Sequence, residues 1–126
     1  MADDACPLSD LASRTCKPCE GGVEPLSAEA VSPYLAASPA WRLTRDGTHI
    51  RRDFKFPDFR AAVKFVNNVA ALAEREGHHP DLHIEGYRRV WIEISTHAIR
   101  GLSENDFVLA AKIDLIAPPP ATAQNA

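Results

Sequence analysis

Apolar and polar residues alternate along two stretches of the chain. From His49 to Phe56, Ile50, Arg52, Phe54 and Phe56 share one side, while His49, Arg51, Asp53 and Lys55 share the other. From Arg89 to Ser95, Val90, Ile92 and Ile94 oppose Arg89, Trp91, Glu93 and Ser95. A period of two is the mark of a strand with one buried face. Arg52 interrupts the first apolar face, so either it meets a carboxylate there or burial of that strand begins only at Phe54. Between the two strands the period changes. Phe59, Val63, Val66, Ala70 and Ala73 form one stripe at three- and four-residue spacing, and Phe65, Val69 and Leu72 form a second. This predicts a long helix opened at Pro57 or Asp58, running to about Glu76 and ended by Gly77. Its breadth of apolar surface predicts one side on a sheet and the other covered by a second subunit.

Shorter signals complete the order. Ser27 caps a first helix that carries Ala30, Val31, Tyr34 and Leu35 inward; it tolerates Pro33 near its start and stops at Ser38-Pro39. Trp41 to Leu43 reads as a short strand, joined to the next by a turn at Asp46-Gly47. Leu82 to Glu85 reads as another, with Gly86-Tyr87 as a turn or bulge before the strand at Arg89. Ser103 begins the last helix with Asp106 at its third position, an arrangement like a capping box. Phe107, Val108, Ala111, Ile113 and Leu115 are its expected apolar contacts. The order is helix, two strands, long helix, two strands, helix. Strands joined by turns imply an α+β fold of two layers, a four-stranded antiparallel sheet with helices packed on one face. The expected domain spans 25–117, between an extended or flexible arm at 1–24 and a flexible tail at 118–126.

Composition narrows the class. A chain of 126 residues and 13.8 kDa fits one domain. A formal net charge of −3 argues against a general nucleic-acid binder. The sequence has no apolar run of membrane-spanning length and no signal-peptide pattern at its start, which makes the cytoplasm the default location. Cys6, Cys16 and Cys19 all fall in the arm and make a poor disulfide framework. Cys16-Lys17-Pro18-Cys19 reads as half of a zinc site, as a redox pair, or as thiols on a flexible leader.

The candidate chemistry lies between Glu74 and Asp106, where His78, His79, His83 and His97 are four of the five histidines. Imidazoles have pKa values near neutrality, so a group of them can both give and take protons. His79 and His83 are four residues apart, a metal-ligand spacing on a helix, but Pro80 and the strand pattern that follows argue against a helix there. Trp91, on the polar side of its strand, is either a pocket wall or a subunit contact.

The same stretch resembles the signature of the pterin-4a-carbinolamine dehydratases. The matching residues are Glu74, His78-His79-Pro80, Tyr87, His97 and Asp106, set in the words GHHPDLHIEGY and STHAIRGLSENDF. The resemblance covers roughly residues 25 to 116, and Gly77 and the Cys-x-Pro-Cys lead-in are similar to the plant-like branch. It implies dehydration of 4a-hydroxytetrahydropterin to quinonoid dihydropterin, with no metal or redox cofactor. It implies His78 and His97 as the acid–base pair, with His79 binding or polarising the pterin. Glu74, Pro80, Thr96, Ala98, Ile99 and Asp106 are the implied substrate-binding residues. Glu74 would orient His78 if the helix persists that far, and Asp106 is open to both a pocket role and a capping role. Homodimers or homotetramers and a link to aromatic amino acid hydroxylases are further implications. Other proteins of the same fold assist RuBisCO assembly in chloroplasts and carboxysomes, so a RuBisCO subunit is the alternative partner.

Overall fold

A computed structural model of the chain describes residues 8–16 and 24–118. Three α-helices and four strands follow one another as α1 (Ala28–Ala36), β1 (Arg42–Thr44), β2 (His49–Lys55), α2 (Phe59–Glu76), β3 (Asp81–Glu85), β4 (Arg89–Ile94) and α3 (Glu104–Ile116). The strands make one antiparallel sheet in the order β1-β2-β4-β3. The chain therefore has the α+β architecture its patterning predicts.

Register explains the two faces. Ile50 lies opposite Ile94, Arg52 opposite Ile92, and Phe54 opposite Val90, with Leu82 beside Ile92 on the other flank. Ile50, Ile92 and Ile94 are fully buried. Arg52 is buried with them, and its guanidinium pairs with Asp114 of α3. Asp114 also accepts the Trp41 indole N–H at 3.0 Å. The interruption in the β2 pattern is thus a buried ion pair that ties the sheet to α3.

Helix α2 starts where Asp58 accepts the Ala61 N–H at 2.8 Å and ends where Gly77 turns left-handed at φ 67°. Its buried face is Ala62, Phe65, Val69, Leu72 and Ala73, with the Phe65 ring 4.7 Å from Phe54 and 5.1 Å from Phe56. Ala73 belongs to this face, not to the stripe the sequence assigned it. The rest of that stripe is mixed: Phe59 at its head is 54% exposed, while Val66 is partly buried against the core. Helix α3 is buried from Asn105 to Ala110 and again at Ile113, whereas Leu115, expected inside, is 74% exposed.

The N-terminal arm departs from expectation. Leu8–Ser13 forms a 3-10 helix against α3, and Leu11 is a core residue with 2% exposure. Apolar burial against α3 holds a segment whose sequence has no sustained period. Cys6, Cys19 and the tail from 119 lie outside the described residues, so only Cys16 of the arm's thiols can be placed. Among the described residues, no helix is long and apolar enough to cross a membrane.

Candidate active site

Two chain reversals build the site. At the first, Gly77 swings the chain off the end of α2 and carries His78 and His79 with it. At the second, β4 stops at Ile94, one residue short of the expected end at Ser95. Thr96 instead pairs with Gly101, donating its N–H to the Gly101 carbonyl at 2.9 Å, and His97–Ile99 forms a 3-10 turn inside that loop. A side chain on Gly101 would bring its Cβ to 2.6 Å from Pro25 Cβ, so the loop can close only with glycine there. Both reversals open on one cavity of about 410 Å³, lined by Cys16, Glu76, Gly77, His78, His79, Ser95, Thr96, His97, Ala98 and Asn105. That volume suits a small organic ligand.

Asp106 organises the inner wall. It has no exposed surface, and three donors converge on it. His78 Nε2 is 2.7 Å from its Oδ1, while Oδ2 accepts the Thr96 hydroxyl at 2.9 Å and the Ser103 N–H at 2.8 Å. Because the Thr96 hydrogen is used this way, Thr96 Oγ1 accepts from the Ser103 hydroxyl at 2.7 Å. An accepting carboxylate fixes the His78 tautomer with hydrogen on Nε2 and leaves Nδ1 as its basic nitrogen. Asp106 therefore caps α3 and holds His78 at once.

Glu74 does not hold His78. Its Oε2 lies 2.7 Å from His79 Nε2, in a pair that is largely exposed. The helix ends at Glu76, and beyond the left-handed Gly77 it is the second histidine that comes back over Glu74.

The structure gathers His78, His79, His97, Thr96 and Ala98 on the cavity and places Asp106 directly behind His78. Glu74, Pro80 and Ile99 do not line it; Ile99 is buried beneath the 3-10 turn. Tyr87 sits on the β3–β4 turn, 58% exposed, and does not line it either. His83 is on the other face of the sheet, its ring stacked on Trp91 with centroids 4.8 Å apart. Among the described residues, no group of three or more His, Cys, Asp or Glu side chains is placed to hold a metal ion.

Five lining residues were not foreseen as site residues: Cys16, Glu76, Gly77, Ser95 and Asn105. Gly77, Ser95 and Asn105 adjoin named site residues and Glu76 lies two from His78, and proximity in the chain was their available signal. Cys16 gave none, because it arrives from the arm. Its N–H donates to Glu76 Oε1 at 2.9 Å and its Sγ lies 3.6 Å from the Asn105 carbonyl. Burial, the neighbouring Glu76 charge and its hydrogen bond push the Cys16 thiol up to about 12, so it stays protonated at neutral pH.

Comparison with known proteins bears directly on this arrangement. The family model described as pterin 4 alpha carbinolamine dehydratase matches residues 24–116. The chain belongs to that family. Among relatives of the pterin-4a-carbinolamine dehydratase family, the "Putative pterin-4-alpha-carbinolamine dehydratase" of Nitrosospira multiformis is 45% identical over 109 residues, 86% of this chain and 94% of that protein. The protein of the same name from Aromatoleum aromaticum is 48% identical, over 86% of this chain and 96% of its own. The solved transcriptional coactivator/pterin dehydratase from Brucella melitensis superposes with a TM-score of 0.69 at 33% identity, covering 75% of this chain and all of that one. A pterin dehydratase-like protein identified as a RuBisCO assembly factor in the α-carboxysome gives a TM-score of 0.53 at 25% identity, over 62% of this chain and 89% of its own.

Proposed function

We propose that this protein dehydrates 4a-hydroxytetrahydropterin to quinonoid dihydropterin by histidine acid–base catalysis. The observation that carries this reading is the buried Asp106–His78 pair on a cavity that His79 and His97 also line. Loss of water requires one proton on the departing 4a-hydroxyl and removal of another from N5, which leaves the new double bond between C4a and N5. His78 is the base. Its Nδ1 is the free nitrogen, and Asp106 stabilises the positive charge that grows on the ring as it takes the N5 proton. His97, exposed on its turn, is the acid that protonates the hydroxyl, and His79, held by Glu74, polarises the pterin. Ala98 offers backbone groups to the pterin's amide edge, while the Thr96 backbone closes the loop beside it. The outward stripe of α2 at Phe59 and Val63 is the surface on which a homodimer or homotetramer would form.

The test is turnover of freshly generated 4a-hydroxytetrahydropterin by the wild type and by the His78→Ala, His97→Ala double variant. A wild-type rate about 100-fold or more above the double variant supports the enzyme. Equal rates sink it. The solved RuBisCO assembly factor supports a second reading, and with equal rates the next measurement is binding of RuBisCO subunits.

A further inference from the structure

The N-terminal segment brings a residue to the cavity that the proposed chemistry does not use. Leu8–Ser13 packs against α3, and the chain then reaches the cavity with Cys16. Four ties fix the segment. Leu11 is buried in the core. Arg14 pairs with Glu104 at 3.2 Å, where α3 begins. Lys112 of α3 donates to the Ala12 carbonyl at 2.9 Å and lies 3.6 Å from Glu76 Oε2. The other Glu76 oxygen accepts the Cys16 N–H at 2.9 Å. Glu76 and Lys112 are both mostly buried, with side-chain exposures of 12% and 16%, so this pairing is shielded from solvent.

Glu76 thus has an unusual position. It is the last residue of α2, two before His78, and it lines the cavity alongside Cys16. One side chain joins the strap to the element that launches the histidine pair. The group the strap presents is an uncharged, polarisable thiol, of the kind that packs favourably against a flat conjugated ring.

We infer that Leu8–Cys16 is a fixed strap that sets Cys16 into the wall of the substrate cavity, that the Cys16 thiol contacts the bound pterin ring, and that Glu76 is the positioning residue holding Cys16 in register with His78. This inference rests on the dehydratase reading and adds a contact to it.

The experiment uses the full chain and 7,8-dihydrobiopterin as a non-reacting probe, with binding followed by fluorescence and folding by thermal unfolding. Cys16→Ala is expected to weaken probe binding by about two- to ten-fold, the worth of one sulfur–ring contact. Glu76→Ala, which frees the strap, is expected to weaken it at least as much. Glu76→Gln keeps an oxygen for the Cys16 N–H and is expected to stay within about twofold of the wild type. If Glu76→Ala does not fold, Cys16→Ala decides alone. Wild-type affinity in Cys16→Ala overturns the contact. A Glu76→Gln defect as large as that of Glu76→Ala, in folded protein, overturns the positioning role, because charge and not anchorage would then be at work. A wild type that neither binds the probe nor turns over substrate removes the dehydratase reading and this inference together. Wild-type binding with unchanged variants removes this inference alone.

Discussion

Replacing Asp106 with Asn tests the site at its most constrained point. The carboxylate accepts from three donors, and Asn offers one accepting oxygen and an NH₂ group. The Ser103 N–H decides which way the amide sits, because a backbone N–H cannot reverse its polarity. The amide oxygen must therefore take the Oδ2 position and keep Ser103 and Thr96. The NH₂ group then faces His78 Nε2, and the imidazole can meet it only by moving its hydrogen to Nδ1. The nitrogen proposed to take the N5 proton would lose its lone pair. Turnover should fall by about 100- to 10,000-fold, the usual worth of a positioned general base.

Stability falls as well. Each of the three bonds passes from charge-assisted, about 1.5–3 kcal/mol, to neutral, about 0.5–1.5 kcal/mol. The summed loss is about 3–4.5 kcal/mol, or roughly 10–25 °C in melting temperature for a domain of this size. The assays are steady-state turnover, thermal unfolding, and nitrogen NMR of the histidine rings, which reports the tautomer directly. Asp106→Asn protein that keeps its rate within about threefold and retains hydrogen on His78 Nε2 would refute the reasoning.

Three further outcomes follow from the geometry. Asp114→Ala strips buried Arg52 of its carboxylate and Trp41 of its acceptor, at a cost of about 2–4 kcal/mol given partial exposure of Asp114; adding Arg52→Met should recover much of this in chemical denaturation. Burial raises the Glu93 pKa, but hydrogen bonds from Arg45 and Thr44 and the Arg45 charge outweigh it and hold the carboxyl below 4.5 in the fold. That stabilisation is present above the unfolded value and is lost as pH falls through the native one, so Glu93→Gln should flatten the acid limb of a stability–pH curve measured below about pH 5. Cys16, with its thiol near 12, should react with iodoacetamide far more slowly in native protein than in urea at mildly alkaline pH, as read by mass spectrometry of the Cys16 peptide; equal rates would mean that the strap does not bury it.

How far the sequence reveals this protein depends on whether a contact is local or long-range. Strands β2 and β4 were legible because period two states which side chains share a face, and α2 because Asp58 and Gly77 punctuate both ends. The histidines and Asp106 were legible through their spacing and their likeness to a family. The identity of Glu74's partner was not. A four-residue spacing links Glu74 to His78 only while the helix continues, and one left-handed glycine redirects the chain so that His79 makes the contact. Asp106 could be read as a cap, since Ser103 is three residues away, but its second role depends on where the loop after β4 delivers Thr96 and where α2 delivers His78. Cys16 is the extreme case. Its partners Glu76 and Asn105 are 60 and 89 residues distant, and no local period marks a short, kinked 3-10 segment that packs against α3. The segment is held by one apolar anchor and a few charged ties, and those are properties of the surface it lands on. Composition alone, rich in Cys, Pro and Ser, describes a flexible leader; the burial of Leu11 anchors its described part, which brings Cys16 to the cavity.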